Sequence, residues 1–224
     1  MTGLRPSDRA PYLAVAQGVE IAEDAEIGAH VVLHDGTSVG AGCVVQDGAV
    51  LGKRPATGAG GTALGALVLE PGAAVCAHAV VFAGARVGAG SIVGDQALVR
   101  EGVEIGASTV VGRGSTISRG ARLGERVRVQ TNVWLAAGTV IEDDVFVGPG
   151  VTAAGDEPQG PVLRRACRIG GGVLLVGGIE VGEEAFVAAG AVVEADVPRR
   201  AVAMGSPAEV VREVGDEDLL ERWR

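Results

Sequence analysis

Three histidines, His30, His34 and His78, are the whole imidazole complement of this sequence, so a general base titrating near neutrality has three candidates. His34 stands in the run Leu33-His34-Asp35-Gly36-Thr37. Asp143 and Asp144 form an acidic pair beside Glu142, where a carboxylate can receive an ammonium group and later a proton. Asp156 with Glu157 offers the same chemistry; solvated corner residues are the plainer reading of both pairs. Basic residues come in groups: Lys53 with Arg54, Arg164 and Arg165 with Arg168, and Arg199 and Arg200 with Arg212. Such groups suit phosphates. Cys43, Cys76 and Cys167 are odd in number, unrelated in spacing and without a metal-ligand pattern.

A formal charge of −9 argues against a nucleic-acid partner, which would want a basic stripe. It leaves room for small anions, because a few local Arg residues outweigh the global balance. The opening stretch has no long apolar run, and no segment approaches membrane-spanning length without charge or Gly. The expectation is a soluble cytoplasmic protein with no membrane partner. With 47% hydrophobic but only 3% aromatic residues, its core must be narrow and aliphatic.

The elements that position these groups follow from a six-residue grid. Every sixth residue from Ile21 to Leu51 is aliphatic, the same phase resumes at Leu69 and runs to Val147, and a new phase carries Ile169 to Val193. Six is neither the helical period nor plain alternation, so repeat logic applies. Four residues after each grid position sits a slim residue such as Cys43, Ser91 or Thr109, and Gly often follows the grid residue directly, as at Gly88 and Gly106. Three six-residue sides close an eighteen-residue triangular coil, and stacked coils pair as parallel strands ~4.8 Å apart. The filled hexads amount to about eight coils. Trp134 takes the last position of its hexad, so its indole points outward toward a subunit interface or a ligand. A zinc site needs three convergent histidines, and the His30-to-His78 spacing, not a multiple of eighteen, puts those two on different sides of the prism.

This grid resembles the hexapeptide-repeat acyltransferases. Two further motifs carry the likeness: the corner Val147-Gly148-Pro149-Gly150-Val151, and Gly205-Ser206-Pro207-Ala208 before a helix-like Glu209 to Val214. The run Val127 to Val133, followed by Glu142-Asp143-Asp144-Val145-Phe146 and Gly148-Pro149, is similar to N-acetyltransferases of nucleotide-linked amino sugars. Thr131 stands where those relatives carry the middle Asn of a Gln-Asn-Asn stretch. The resemblance implies an all-β, left-handed parallel β-helix over residues 21–198, with loops at 52–68 and 153–168. A lead-in over 1–20 and a closing turn with a short C-terminal α-helical segment over 199–224 complete the expected organisation.

The resemblance also implies acetyl-CoA or another acyl-CoA as co-substrate, no metal, an amino-sugar acceptor and a homotrimer with its site between subunits. Asn132 would orient the amine, with Gln130 as a neighbouring hydrogen-bond partner, because an amide orients and stabilises but is no base at neutral pH. His34, in a run similar to the family's His-Asp element, is the candidate base or substrate contact, and Asp143 a carboxylate in the same chemistry. Lys53, Arg54, Asp156 and Trp134 would contact the acceptor. Gly177, Gly178, Ala189, Gly190 and the Gly205 turn would admit the pantetheine arm, with Arg199 and Arg212 at the CoA phosphates. The second loop lacks the His that O-acetyltransferases carry there, which weakens an O-acyl reading; a non-catalytic β-helix scaffold is the other alternative.

Overall fold

A computed structural model describes residues 4–56, 64–155 and 160–219. Along each turn of the chain the backbone alternates as a strand and then bends: Val127 and Val129 are buried, Arg128 between them is exposed, and residues 130–132 turn the corner. Inward and outward residues therefore alternate at the strand period. Successive coils pair in parallel, for example Ile117 with Leu135, Leu123 with Ile141 and Val129 with Val147.

Three sheets result. Sheet A runs from Arg5–Ser7, antiparallel to Leu13–Val15, through the parallel strands to Val192–Val193, sheet B from Glu20–Ile21 to Glu180–Val181, and sheet C from Glu26–Ile27 to Phe186–Val187, continued by a hairpin. Coils are counted from the sheet A strand that opens them, coil one at Leu13–Val15 and coil two at Val32–Leu33. There are about ten coils rather than eight. Coil one begins ahead of the grid, and the irregular hexads at Ala153 and Leu163 still supply strands.

Grid residues and slim residues both fill the prism. Buried hydroxyls in the slim slots are satisfied between coils. Ser91 Oγ donates to Gly106 O at 2.7 Å and accepts from Thr109 N at 2.9 Å, and Thr109 Oγ1 repeats the pattern one coil on.

Neighbouring coils exchange backbone hydrogen bonds in both directions, as Ala14 N to Val31 O and Glu26 N to Cys43 O going forward and His30 N to Pro11 O and Gly48 N to Ala29 O going back. Both ends of the coil thus leave backbone groups that need partners from outside the ladder. The Arg9 guanidinium donates to the carbonyls of Ile21, Ala22, Glu23 and Ala25. At the other end Asp196 Oδ1 accepts from Glu180 N at 2.8 Å.

Three expectations are corrected. Glu209 to Val214 is not helical: Ala208–Glu213 is a strand antiparallel to Ala201–Gly205, and that strand pairs with Phe186–Val187. The open edge of sheet C and the β-branched Val210 and Val211 favour pairing over a helix; only a single 3₁₀ turn, Asp216–Asp218, follows. The first loop is narrower than 52–68, because Gly52 and Lys53 end one strand and Leu67 begins the next. The second is narrower than 153–168, because Val162–Leu163 and Arg168–Ile169 are strands. Among the described residues no helix is long and apolar enough to cross a membrane.

Candidate functional site

The corner between sheets A and B holds the densest chemistry in coils two to five. Leu51 pairs with Val81 but Lys53 with Phe82, so Gly52 is an extra, bulged residue. Its φ of 72° is left-handed, and a Cβ there would run into Thr37 Oγ1, which donates to His34 O at 2.7 Å. Only glycine fits. The bulge sets Lys53 Nζ 5.6 Å from the centre of the Phe82 ring, and from the following coil Arg100 Cζ lies 5.0 Å from the same centre. Phe82 follows grid residue Val81 onto the corner, yet it is only 7% exposed.

Arg100 is fixed in turn by its neighbour. Its Nε donates to Glu101 Oε2 at 2.8 Å and its Nη2 to Oε1 at 3.0 Å, and Glu101 is buried. Burial works against ionisation of Glu101, but the hydrogen bonds from Arg100 and the charges of Arg100 and Arg119 hold its carboxyl below the usual range. His34 moves downward from 6.5, first through burial and then through the Lys53 charge, so it is neutral at pH 7. Lys53 and the exposed Arg54 have no carboxylate at ion-pair distance among the described residues. The returning limb of the first loop folds back over this corner: a Cβ on Gly84 would lie 3.7 Å from both Leu64 Cδ2 and Gly65 N. Phe82, Arg100 and Glu101 escaped sequence reading, although Phe82 and Arg100 follow their grid residues as His34 follows Leu33.

Gln130 and Asn132 lie on a different corner, between sheets C and A, at the end of coil six. Asn132 has a φ of 56° and its N–H donates to Arg113 O at 2.9 Å. Its side chain lies over Gly114, where a Cβ would run into Oδ1. It occupies the left-handed corner position that Gly114 and Gly150 take in adjacent coils, which Asn tolerates. Asn132 is more than four coils from His34, roughly 20 Å along the axis at the spacing of parallel strands, so these two residues do not share one reacting atom.

His30 and His78 share this same corner, contrary to their spacing in sequence. The first loop adds two hexads, shown by Val39 pairing with Leu69 and Leu51 with Val81, and returns His78 to the column of His30. His30 stacks on Tyr12 with ring centres 4.6 Å apart, while His78 lies over Gly48. Among the described residues no group of three His, Cys, Asp or Glu is placed to hold a metal. Burial pushes the thiols of Cys43, Cys76 and Cys167 up.

Asp143 stands on the third corner, between sheets B and C, in a column of ion pairs. Its Oδ1 accepts from Glu125 N at 2.8 Å and its Oδ2 lies 3.4 Å from Arg126 Nη2; Arg126 Nε also donates to Asp144 at 2.8 Å. Further on, Glu142 accepts from Arg164, and Arg199 lies 3.8 Å from Glu183. Gly177 and Gly178 are on the A–B corner and Ala189 and Gly190 on the C–A corner, all in coil nine, roughly 34 Å from His34. Gly205 (φ 107°) opens the turn of the C-terminal hairpin, and Arg212 on its outer strand donates to Glu213 O at 2.9 Å. Asp156 lies outside the described residues.

The outer faces differ. On sheet A the outward residues from Ala14 to Val192, including Val32, Val50, Leu98, Trp134 and Leu174, carry no charge. Trp134 is 43% exposed there. Sheet B presents Arg86, Glu104 and Arg122 in register.

A family profile described as a hexapeptide repeat of succinyl-transferase matches residues 18–53, 102–137 and 164–195. The serine acetyltransferase of Buchnera aphidicola (subsp. Schizaphis graminum) is 30% identical over 89 residues, 38% of this chain and 34% of that protein. That of Salmonella typhimurium is 36% identical over 91 residues, 39% of this chain and 33% of that one. The chain therefore spans about a third of the length of these relatives. The crystal structure of an Arabidopsis UDP-N-acetylglucosamine acyltransferase superposes with a TM-score of 0.73 at 20% identity, covering 97% of this chain and 76% of that one. The aliphatic grid that closes into this parallel three-sided coil thus carries hexapeptide repeats that match the profile over three separate stretches, just under half of the chain.

Proposed function

We propose that this protein is a cytoplasmic, acyl-CoA-dependent transferase that acetylates the amine of a nucleotide-linked amino sugar, working as a homotrimer of left-handed coils. The observation that carries this reading is His34, its pKa lowered by burial and by the charge of Lys53, a cation with no carboxylate partner among the described residues, under the returning limb of the first loop. In the reaction the amine nitrogen attacks the thioester carbonyl. The C–N bond forms, His34 takes the ammonium proton, and the C–S bond breaks to release CoA as thiolate, which is then protonated. Lys53 and Arg54 meet the diphosphate of the acceptor.

The uncharged face of sheet A supports the assembly. Three copies packed on that face around an axis set the A–B corner of one against the C–A corner of the next. His34, Lys53, Gly177 and Gly178 then line one wall of a groove and Gln130, Asn132, Ala189 and Gly190 the other. The acyl donor lies along this groove with its thioester at His34, and the small residues keep the far end open to it. Asp143 and Arg199, on the B–C corner, stand outside the groove.

The likeness to serine acetyltransferases favours a second reading, transfer to a hydroxyl, with the same base removing an O–H proton. Both readings are tested by calorimetric titration with acetyl-CoA and longer acyl-CoAs, followed by thiol release with amino-sugar nucleotides and with serine as acceptors. Binding with turnover on an amino-sugar nucleotide supports the first reading and turnover on serine alone the second. Absence of acyl-CoA binding sinks both and leaves a scaffold.

A further inference from the structure

The Phe82 ring is the feature that neither the fold nor the proposed reaction accounts for. It stands on an outer corner, where its column in the nearest coils carries His34, Gly52, Arg100, Ser118 and Ala136, and it is not among the residues that fill the prism. Two cations from the coils on either side cover it, Lys53 at 5.6 Å and Arg100 at 5.0 Å from the ring centre. Both distances fall within the range of cation–π attraction. Arg100 is held at its station by the buried Glu101, so it acts as a fixed wall on one side of the ring. Lys53 has no such tether: among the described residues no carboxylate holds it, and its flexible stem would otherwise carry the ammonium into solvent.

We infer that Phe82 is a positioning residue whose ring, backed by Arg100 and Glu101, seats the Lys53 ammonium beside His34. This rests on the reading of His34 and Lys53 as the working groups of the site, and adds what keeps them together. The Gly52 bulge brings the Lys53 backbone opposite Phe82 rather than one residue past it, and the ring then fixes where the side chain ends. Lys53, on the next coil, is the charged group that acts on His34, while Asp35, beside it in sequence, turns its Oδ1 toward Gly18 on the preceding coil.

The test reads the His34 imidazole by NMR titration of the full chain, without acyl donor or acceptor. Lys53→Met should raise the His34 pKa, because it removes the neighbouring charge. Phe82→Leu keeps an apolar side chain of similar bulk but removes the ring; it should raise the pKa by the same amount, and Lys53→Met added to it should change little. Phe82→Tyr, which retains a ring, should keep the wild-type value. If Phe82→Leu leaves His34 at the wild-type value while Lys53→Met raises it, the ring does not seat the lysine; if Lys53→Met has no effect, the lysine is not beside His34. Either result overturns the inference. Should Phe82→Leu lose its circular dichroism signature, Phe82→Met takes its place. Because no turnover is involved, a protein that transfers no acyl group can still pass, and an active enzyme can still fail.

Discussion

Arg100 and Glu101, neighbours in sequence, form a two-pronged ion pair in which a carboxylate 6% exposed accepts from Nε at 2.8 Å and from Nη2 at 3.0 Å. Breaking such a pair from one side leaves a charge without its partner. Glu101→Gln is expected to lower stability by roughly 3 kcal/mol, measured by denaturant unfolding. The Glu101 carboxyl lies below its ordinary 4.5 in the folded protein, so its contribution is fully present above that value and is lost as pH falls through the folded one. The wild-type advantage over Glu101→Gln should therefore shrink on acidification below pH 4.5 and stay flat above it.

Gly52→Ala meets two obstacles, a left-handed φ and contact with Thr37 Oγ1. A loss of about 2 kcal/mol or more is expected. Thr37→Ala in the same chain should restore part of it, since it removes the atom in the way; thermal unfolding of the single and double variants checks the difference.

Arg9→Ala removes the donors that bind carbonyls at the first end of the coil. Amide exchange should quicken in coils one and two while coils five to nine keep their protection, because coils contact only their neighbours. Uniform acceleration throughout the chain would count against a local cap.

His34→Asn should reduce acyl transfer by a factor on the order of 10² to 10⁴ without changing the melting temperature by more than a few degrees. Since burial and Lys53 lower the His34 pKa below 6.5, the wild-type rate should be flat through pH 7 and fall on the acid side of 6.5 as the imidazole gains its proton. A rate that keeps rising from pH 7 to pH 9 would point to another base.

Trp134→Glu places a charge on the uncharged outer face of sheet A. Sedimentation velocity should show trimer for the wild type and monomer for the variant at micromolar concentration, with circular dichroism unchanged. Arg122→Glu, on the charged face of sheet B, should leave the assembly as it was.

Legibility in the sequence followed distance along the chain. The column of Leu33, Leu51, Val81 and Val99 could be read because each inward residue repeats a chemical demand, an aliphatic group in a narrow prism, at a fixed interval. The site could not be read in the same way. His34 was visible as an imidazole, but Phe82 and Arg100 are ordinary residues until their column is known, and the column depends on how many residues leave the coil between Lys53 and Leu67.

The amino-acid sequence by itself determined the parallel three-sided coil, its aliphatic core and its hexapeptide repeats, since a six-residue period admits few other ways of burying its grid. Tertiary structure alone decided which corner each polar residue occupies. Two hexads inserted in coil three moved His78 onto the corner of His30, and four residues beyond the usual step let Ile141 pair with Leu163. It also decided the fate of Ala208–Glu213, whose local pattern suits a helix but which lies where sheet C offers an unpaired edge. Register and edge pairing are set by contacts far apart in sequence, and only the folded coil brings them together.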